Sequence, residues 1–125
     1  MTQPTPDRAE VDKFILEQLD TVPHLEALLL LWNSRPKSWA LAEIEKSLYV
    51  STEAAQAILQ DLKQRGLITE DSDRYSYNSN FMQSSLIAEV DKAYRRELLR
   101  ISRMIHSKAP SSVREFARAF KFTKD

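Results

Sequence analysis

Two groups of side chains are of types that could do chemistry at the spacing they have. The first lies between Ser51 and Tyr77. On a helix that begins at Thr52, the residues Thr52, Glu53, Gln56, Ala57 and Gln60 fall on one side. Glutamine can pair with an adenine edge through two hydrogen bonds, and glutamate can accept one from cytosine, so this face is chemically able to read bases. The cations that could accompany it are few: Lys63 and Arg65 in the last turn, and Arg74 beyond it, beside Glu70, Asp71 and Asp73. Phosphate neutralisation supplies much of the affinity for nucleic acid, so so acidic a surface starts with a handicap. The second group is Lys92, Arg96, Arg100 and Arg103, followed by Phe116 and Phe120. The arginines could track phosphates or an acidic partner, and the phenylalanines could dock a protein. Their plainer readings are a solvated helix face with local pairs such as Glu97 with Arg100, and an apolar face folded back on the same chain.

The inventory for catalysis is poor. His24 and His106 are the only histidines, and neither stands in a metal-ligand spacing with the other or with carboxylates. There is no cysteine, hence no thiol nucleophile, thiolate site or disulfide, and one glycine cannot build a phosphate-cradling loop. No catalytic residue, metal or cofactor is expected, and the chain reads as a non-enzyme.

The elements that must position the first group are well marked. Ser51 can cap the helix, and Ala55, Ile58, Leu59 and Leu62, at i, i+3, i+4 and i+7, form its buried stripe. The helix should stop at Gly66, the only glycine in 125 residues, in a left-handed C-cap. Leu67–Glu70 and Tyr75–Tyr77 then read as two short strands around a polar loop, Asp71–Arg74.

The segment ALAEIEKSLYVSTEAAQAILQDLKQRGLI, Ala40 to Ile68, resembles the winged helix-turn-helix of MarR-like bacterial transcriptional regulators. In that likeness Ala42 and Ile44 to Leu48 form the first helix, Tyr49 and Val50 the turn, Thr52 to Arg65 the recognition helix, and the hairpin the wing. Where such turns usually carry a small residue, this chain has Leu48, Tyr49 and Val50. The resemblance implies a DNA-binding transcriptional regulator, and the long helix after the wing, whose apolar stripe one small domain cannot cover, points to a dimer. On that reading Thr52, Gln56, Gln60, Lys63, Arg65 and Arg74 meet double-stranded DNA. The alternative is a winged-helix protein-interaction module, since the same fold serves as a plain binding module. In that case Arg96, Arg100, Arg103, Phe116 and Phe120 bind a protein partner.

The remaining sequence fits a mainly α fold. Thr5 and Pro6 suggest the start of an amphipathic helix carrying Val11, Phe14, Ile15 and Leu19. A second helix, His24 to Asn33, is apolar nearly all round and belongs at the centre or at a subunit contact. Ser38 is placed to cap the next. After the wing, a single helix is expected from about Phe81 to Ser107, roughly 40 Å long at 1.5 Å per residue. Ile87, Val90, Tyr94, Leu98, Ile101 and Ile105 form its stripe. Ala109 and Pro110 end it, and Ser112 with Glu115 is a capping-box pattern for a short terminal helix. Residues 1–80 are expected to form the winged-helix domain with its N-terminal helix, and 81–125 a helical extension for homodimerisation or partner docking.

Net charge is zero but unevenly spread: residues 1–88 carry 8 Lys+Arg against 13 Asp+Glu, and residues 89–125 carry 10 against 5. The polar N-terminus lacks a secretory pattern and the longest apolar run is too short to span a bilayer, so a cytoplasmic protein without membrane contact is expected.

Overall fold

A computed structural model of the chain describes residues 5–108. Helix α1 spans Arg8–Gln18, α2 Val22–Asn33, α3 Leu41–Leu48 and α4 Thr52–Gln64. Strands β1 (Trp39–Ala40), β2 (Ile68–Asp71) and β3 (Arg74–Tyr77) form one antiparallel sheet in the order β1-β3-β2. Helices α5 (Ser84–Arg96) and α6 (Leu98–Lys108) follow. The architecture is a mainly α winged helix-turn-helix, as the sequence pattern predicts. The wing gains a third strand, because Trp39 and Ala40 pair with Tyr75 and Arg74 on the outer edge of β3.

The centre is α2. His24, Leu25, Ala27, Leu28, Leu29, Leu31 and Trp32 are all buried in it, and only the side carrying Glu26, Leu30 and Asn33 reaches solvent. Val11, Phe14 and Ile15 of α1, Ile44 of α3, Ile58, Leu59 and Leu62 of α4, and Ile87 and Val90 of α5 belong to the same core. Trp32 meets Tyr77 of β3 edge to face, with ring centroids 4.9 Å apart.

Several boundaries differ from the sequence expectation, each for a local reason. The cap of α1 is Asp7, not Thr5: its Oδ1 accepts from the Glu10 amide at 2.9 Å, and Glu10 reaches back to the Asp7 amide. Helix α2 starts two residues early because the Thr21 hydroxyl accepts from the His24 amide at 3.3 Å and Pro23 fits the first turn. Ser38 is not a cap. Helix α3 begins after β1, with Glu43 accepting from the Ala40 amide at 2.8 Å, while Ser38 binds Arg74. The hairpin turns on two residues only, Ser72 and Asp73, both left-handed (φ 53° and 64°), so Asp71 and Arg74 belong to the strands.

The largest difference lies beyond the wing. The helix expected to run unbroken from 81 to 107 is two helices, interrupted at Glu97, whose φ of −132° and ψ of 45° are not helical. The break turns α6 back toward α1 and α2, where Ile101 and Ile105 are fully buried. Its anchor is Arg100, which grips Asp12 of α1 with two hydrogen bonds of 2.9 and 3.2 Å and Glu97 with two of 3.0 and 3.1 Å. Leu98, expected on the inner stripe, is half exposed, and Leu99 beside it is more so. The terminal helix with Phe116 and Phe120 lies outside the described residues.

Two helix ends use the same hydrogen-bonded motif with different residues. After α4, the Leu67 amide bonds the Leu62 carbonyl and the Gly66 amide that of Lys63, with Gly66 at φ 76°. After α3, the Val50 amide bonds the Glu45 carbonyl around Tyr49 at φ 57°. Nothing lies within 4 Å of a Cβ built on Gly66, so a substitution there meets backbone strain alone. Gly66→Ala should therefore cost about 1–2 kcal/mol. Tyr49→Gly relieves the same strain, partly offset by about 0.5–1 kcal/mol of glycine entropy, and should leave stability unchanged or slightly raised. Urea midpoints test both, and an unshifted Gly66→Ala midpoint would refute the assignment of this helix end.

Candidate nucleic-acid interface

The surface made by α3, α4 and the wing is built from the α4 stripe outward. Burial of Ala55, Ile58, Leu59 and Leu62 leaves Thr52, Glu53, Gln56, Ala57 and Gln60 exposed on the far side of α4. Ser51 caps the helix through a 3.1 Å bond from the Ala54 amide. The Thr52 hydroxyl donates to Glu45 of α3 at 2.9 Å, which ties the two helices of the motif together. Gln56 and Gln60 stand one turn apart on the presented face.

The cations expected beside them all have partners within the chain. Lys63 Nζ lies 3.0 Å from Glu70 of β2. Arg74 donates to the Ser38 hydroxyl at 3.0 Å and carbonyl at 2.9 Å, and sits 3.5 Å from Glu43. Glu43 is held below the ordinary carboxylate range, first by the Ala40 amide and further by Arg74 and Lys37. Arg65 points toward the connection between α1 and α2, bonding the Glu17 carbonyl at 3.0 Å and Gln18 at 3.3 Å, with Asp20 at 3.6 Å. Lys46 of α3, not singled out in the sequence, is exposed and makes no ion pair among the described residues. It becomes notable only once α3 is seen beside α4.

The second group is divided. Arg96 and Arg103 are exposed, whereas Arg100 is committed to Asp12 and Glu97. The hydrogen bonds to Asp12 and then Glu97 push the Arg100 pKa further up, and those from Arg100 hold Glu97 low. The expected Glu97–Arg100 pair is therefore present, as part of a wider clamp that includes Arg8 at 3.1 Å from Glu97.

Behind the interface an open groove of about 570 Å³ lies between α2, the end of α3 and α5, lined by Leu29, Leu30, Leu48, Tyr49 and Tyr94. Its rim is polar: Tyr94 donates to Glu26 at 3.0 Å, and Arg95 bonds Asp91 and Asn33.

The fold has counterparts among solved structures. A MarR family protein of Mycobacterium tuberculosis superposes with a TM-score of 0.55 at 18% identity, covering 94% of this chain and 85% of that one. A MarR family protein of Bacillus stearothermophilus gives 0.54 at 16%, covering 94% and 81%. MepR, a transcription regulator of the Staphylococcus aureus multidrug efflux pump MepA, gives 0.52 at 16%, covering 93% and 84%. No protein-family model matches the sequence, and no curated protein matches it. The chain has the MarR-like winged-helix fold. Among the described residues, no helix is long and apolar enough to cross a membrane.

Tyr94 offers a check on the groove. Burial, then the hydrogen bond and charge of Glu26, push its phenol up to about 12 from 10.0. The folded chain holds this proton longer than the unfolded one, so the stabilising contribution is complete below the ordinary value and is lost as pH rises through about 12. The phenolate difference spectrum of parent against Tyr94→Phe should show the late titration, and Glu26→Gln should bring it down. A Tyr94 that ionises with the exposed tyrosines contradicts the groove geometry.

Proposed function

We propose that this protein is a DNA-binding transcriptional regulator that reads duplex DNA with the presented face of α4 and acts as a dimer. The observation that carries the reading is the exposed pair Gln56 and Gln60, one turn apart on the outer face of the second helix of a winged helix-turn-helix. That helix enters the major groove in such motifs, and the first helix crosses the backbone. Similarity of fold to MepR, a transcription regulator, supports it. Gln56 and Gln60 supply base contacts, with Thr52 at the N-terminal end. Lys63 and Arg74 reach phosphates by leaving Glu70 and Glu43, which are half-exposed pairs of small net stability. Arg65 acts from behind the helix, by tying its end to the α1–α2 connection.

The pairing of all three cations with groups of the same chain favours a second reading, a winged-helix protein-interaction module using Arg96, Arg103 and the segment with Phe116 and Phe120. Fluorescence anisotropy separates the two. For a regulator, Gln56→Ala and Gln60→Ala should weaken the best-bound upstream fragment by about 1–3 kcal/mol and spare random duplex, while Arg74→Ala should weaken both and reduce the salt slope by about one. A Gln56 and Gln60 double variant binding as tightly as the parent would make the interaction module the better account.

The dimer draws on the apolar side chains left uncovered where α5 meets α6: Leu98 is 49% and Leu99 67% exposed. Leu98→Glu with Leu99→Glu should halve the mass seen by light scattering while leaving the fold intact. Ile101 and Ile105 are unsuitable for this test, being buried within the chain. A parent chain that is monomeric at micromolar concentration would end the dimer proposal.

A further inference from the structure

We propose that Asp20, His24 and Asp61 form a binding site for a first-row divalent cation such as zinc, joining the start of α2 to the C-terminal part of α4. Their ligand atoms, one carboxylate oxygen from each aspartate and a ring nitrogen of the histidine, all lie within 4.8 Å of one another. Zinc–nitrogen and zinc–oxygen bonds of about 2.0–2.2 Å place donors roughly 3.2–3.6 Å apart, so a shift of about 1 Å closes the set around an ion. Two carboxylates and an imidazole are three oxygen and nitrogen ligands, a number that leaves a position of a four-coordinate ion for water.

The histidine is set up as a ligand. His24 is 7% exposed, and its ring is held from behind by the Thr21 hydroxyl, 2.7 Å from Nδ1. Coordination uses the Nε2 lone pair, so the ring must carry its proton on Nδ1, where Thr21 accepts it. Outer partners of this kind fix the tautomer and aim of metal-bound histidines. Nε2 meets Asp61 at 2.9 Å, and an ion would replace that contact. Entry is open, because the Asp61 side chain is 41% exposed and that of Asp20 28%. Arg65 competes, with its guanidinium 3.6 Å from Asp20, yet it keeps its hold on the Glu17 carbonyl and Gln18 if that contact is given up.

The same three side chains could serve solely as a hydrogen-bonded brace between the helices, and titration of the untagged full chain decides the matter. Zinc ions followed by calorimetry, and cobalt(II) ions followed by visible absorption, should saturate at one ion per chain. Asp20→Asn and Asp61→Asn should each weaken binding about tenfold or more. Arg65→Gln should tighten it, and His106→Gln should leave it unchanged. His24→Gln should abolish it. If that buried substitution prevents folding, the two aspartate variants carry the test. The proposal is overturned if the parent shows no saturable binding, if Asp20→Asn or Arg65→Gln titrates like the parent, or if His106→Gln loses the ion. None of these readouts involves DNA, so the outcome is independent of the function proposed above.

Discussion

Burial of the apolar side chains of α2 is the constraint on which the rest of the structure depends. Leu25, Ala27, Leu28 and Leu31 have no exposed surface, and Leu29 and Trp32 have little. At about 1.5–3 kcal/mol for each large apolar side chain taken out of water, this one helix supplies a large part of the driving force for folding. It can do so only if other elements surround it. Helices α3, α4 and α6 pack against it, β3 supplies Tyr77 against Trp32, and α1 and α5 add side chains to the same apolar cluster. The winged helix and the helices after it share a single apolar cluster, so the presented face of α4 rests on the same core that α5 and α6 complete.

That dependence explains why α6 turns back. A straight continuation of α5 would have carried Ile101 and Ile105 away from α2 and left part of it wet. The break at Glu97 gives up part of the helix ladder, which runs as far as the Glu97 amide on Ala93 and resumes with the Ile101 amide on Glu97. Burial of the two isoleucines and the Arg100 grip on Asp12 and Glu97 offset it. The acidic Asp12 of α1 and the basic Arg100 of α6, far apart along the chain, meet in one ion cluster with Glu97.

What could be read from the sequence was what local chemistry decides. The α4 stripe, its Ser51 cap and its Gly66 stop each depend on residues within a turn of one another, and all three are present. The break at Glu97 carries no such mark: no glycine or proline is nearby, and intervals of 3 and 4 continue across it. Its cause is tertiary, from Asp12, 85 positions earlier in the chain. The wing was displaced for a related reason. Asp71 and Arg74 are polar, yet they pair as strand residues because Ser72 and Asp73 accept left-handed geometry, and β1 then docks on Arg74 through Ser38. For the candidate interface, the exposed glutamines could be placed from periodicity, but the partners of Lys63, Arg65 and Arg74 could not, since each is drawn from another element.

The tie between α2 and α4 is of two kinds. Most of the contact between these helices is apolar and tolerates small sliding, whereas the bond from His24 to Asp61 is directional and fixes their relative height. His24 is the buried polar side chain of the described core, and it is fully engaged, by Thr21 at its own helix start and by Asp61 one residue beyond Gln60. Asp61 thus joins the buried imidazole to the helix that presents the glutamines. Helix α4 leans on the core through four apolar side chains, and its polar ties to the start of α2 and the turn before it run through His24 with Asp61 and through Arg65 with Glu17, Gln18 and Asp20.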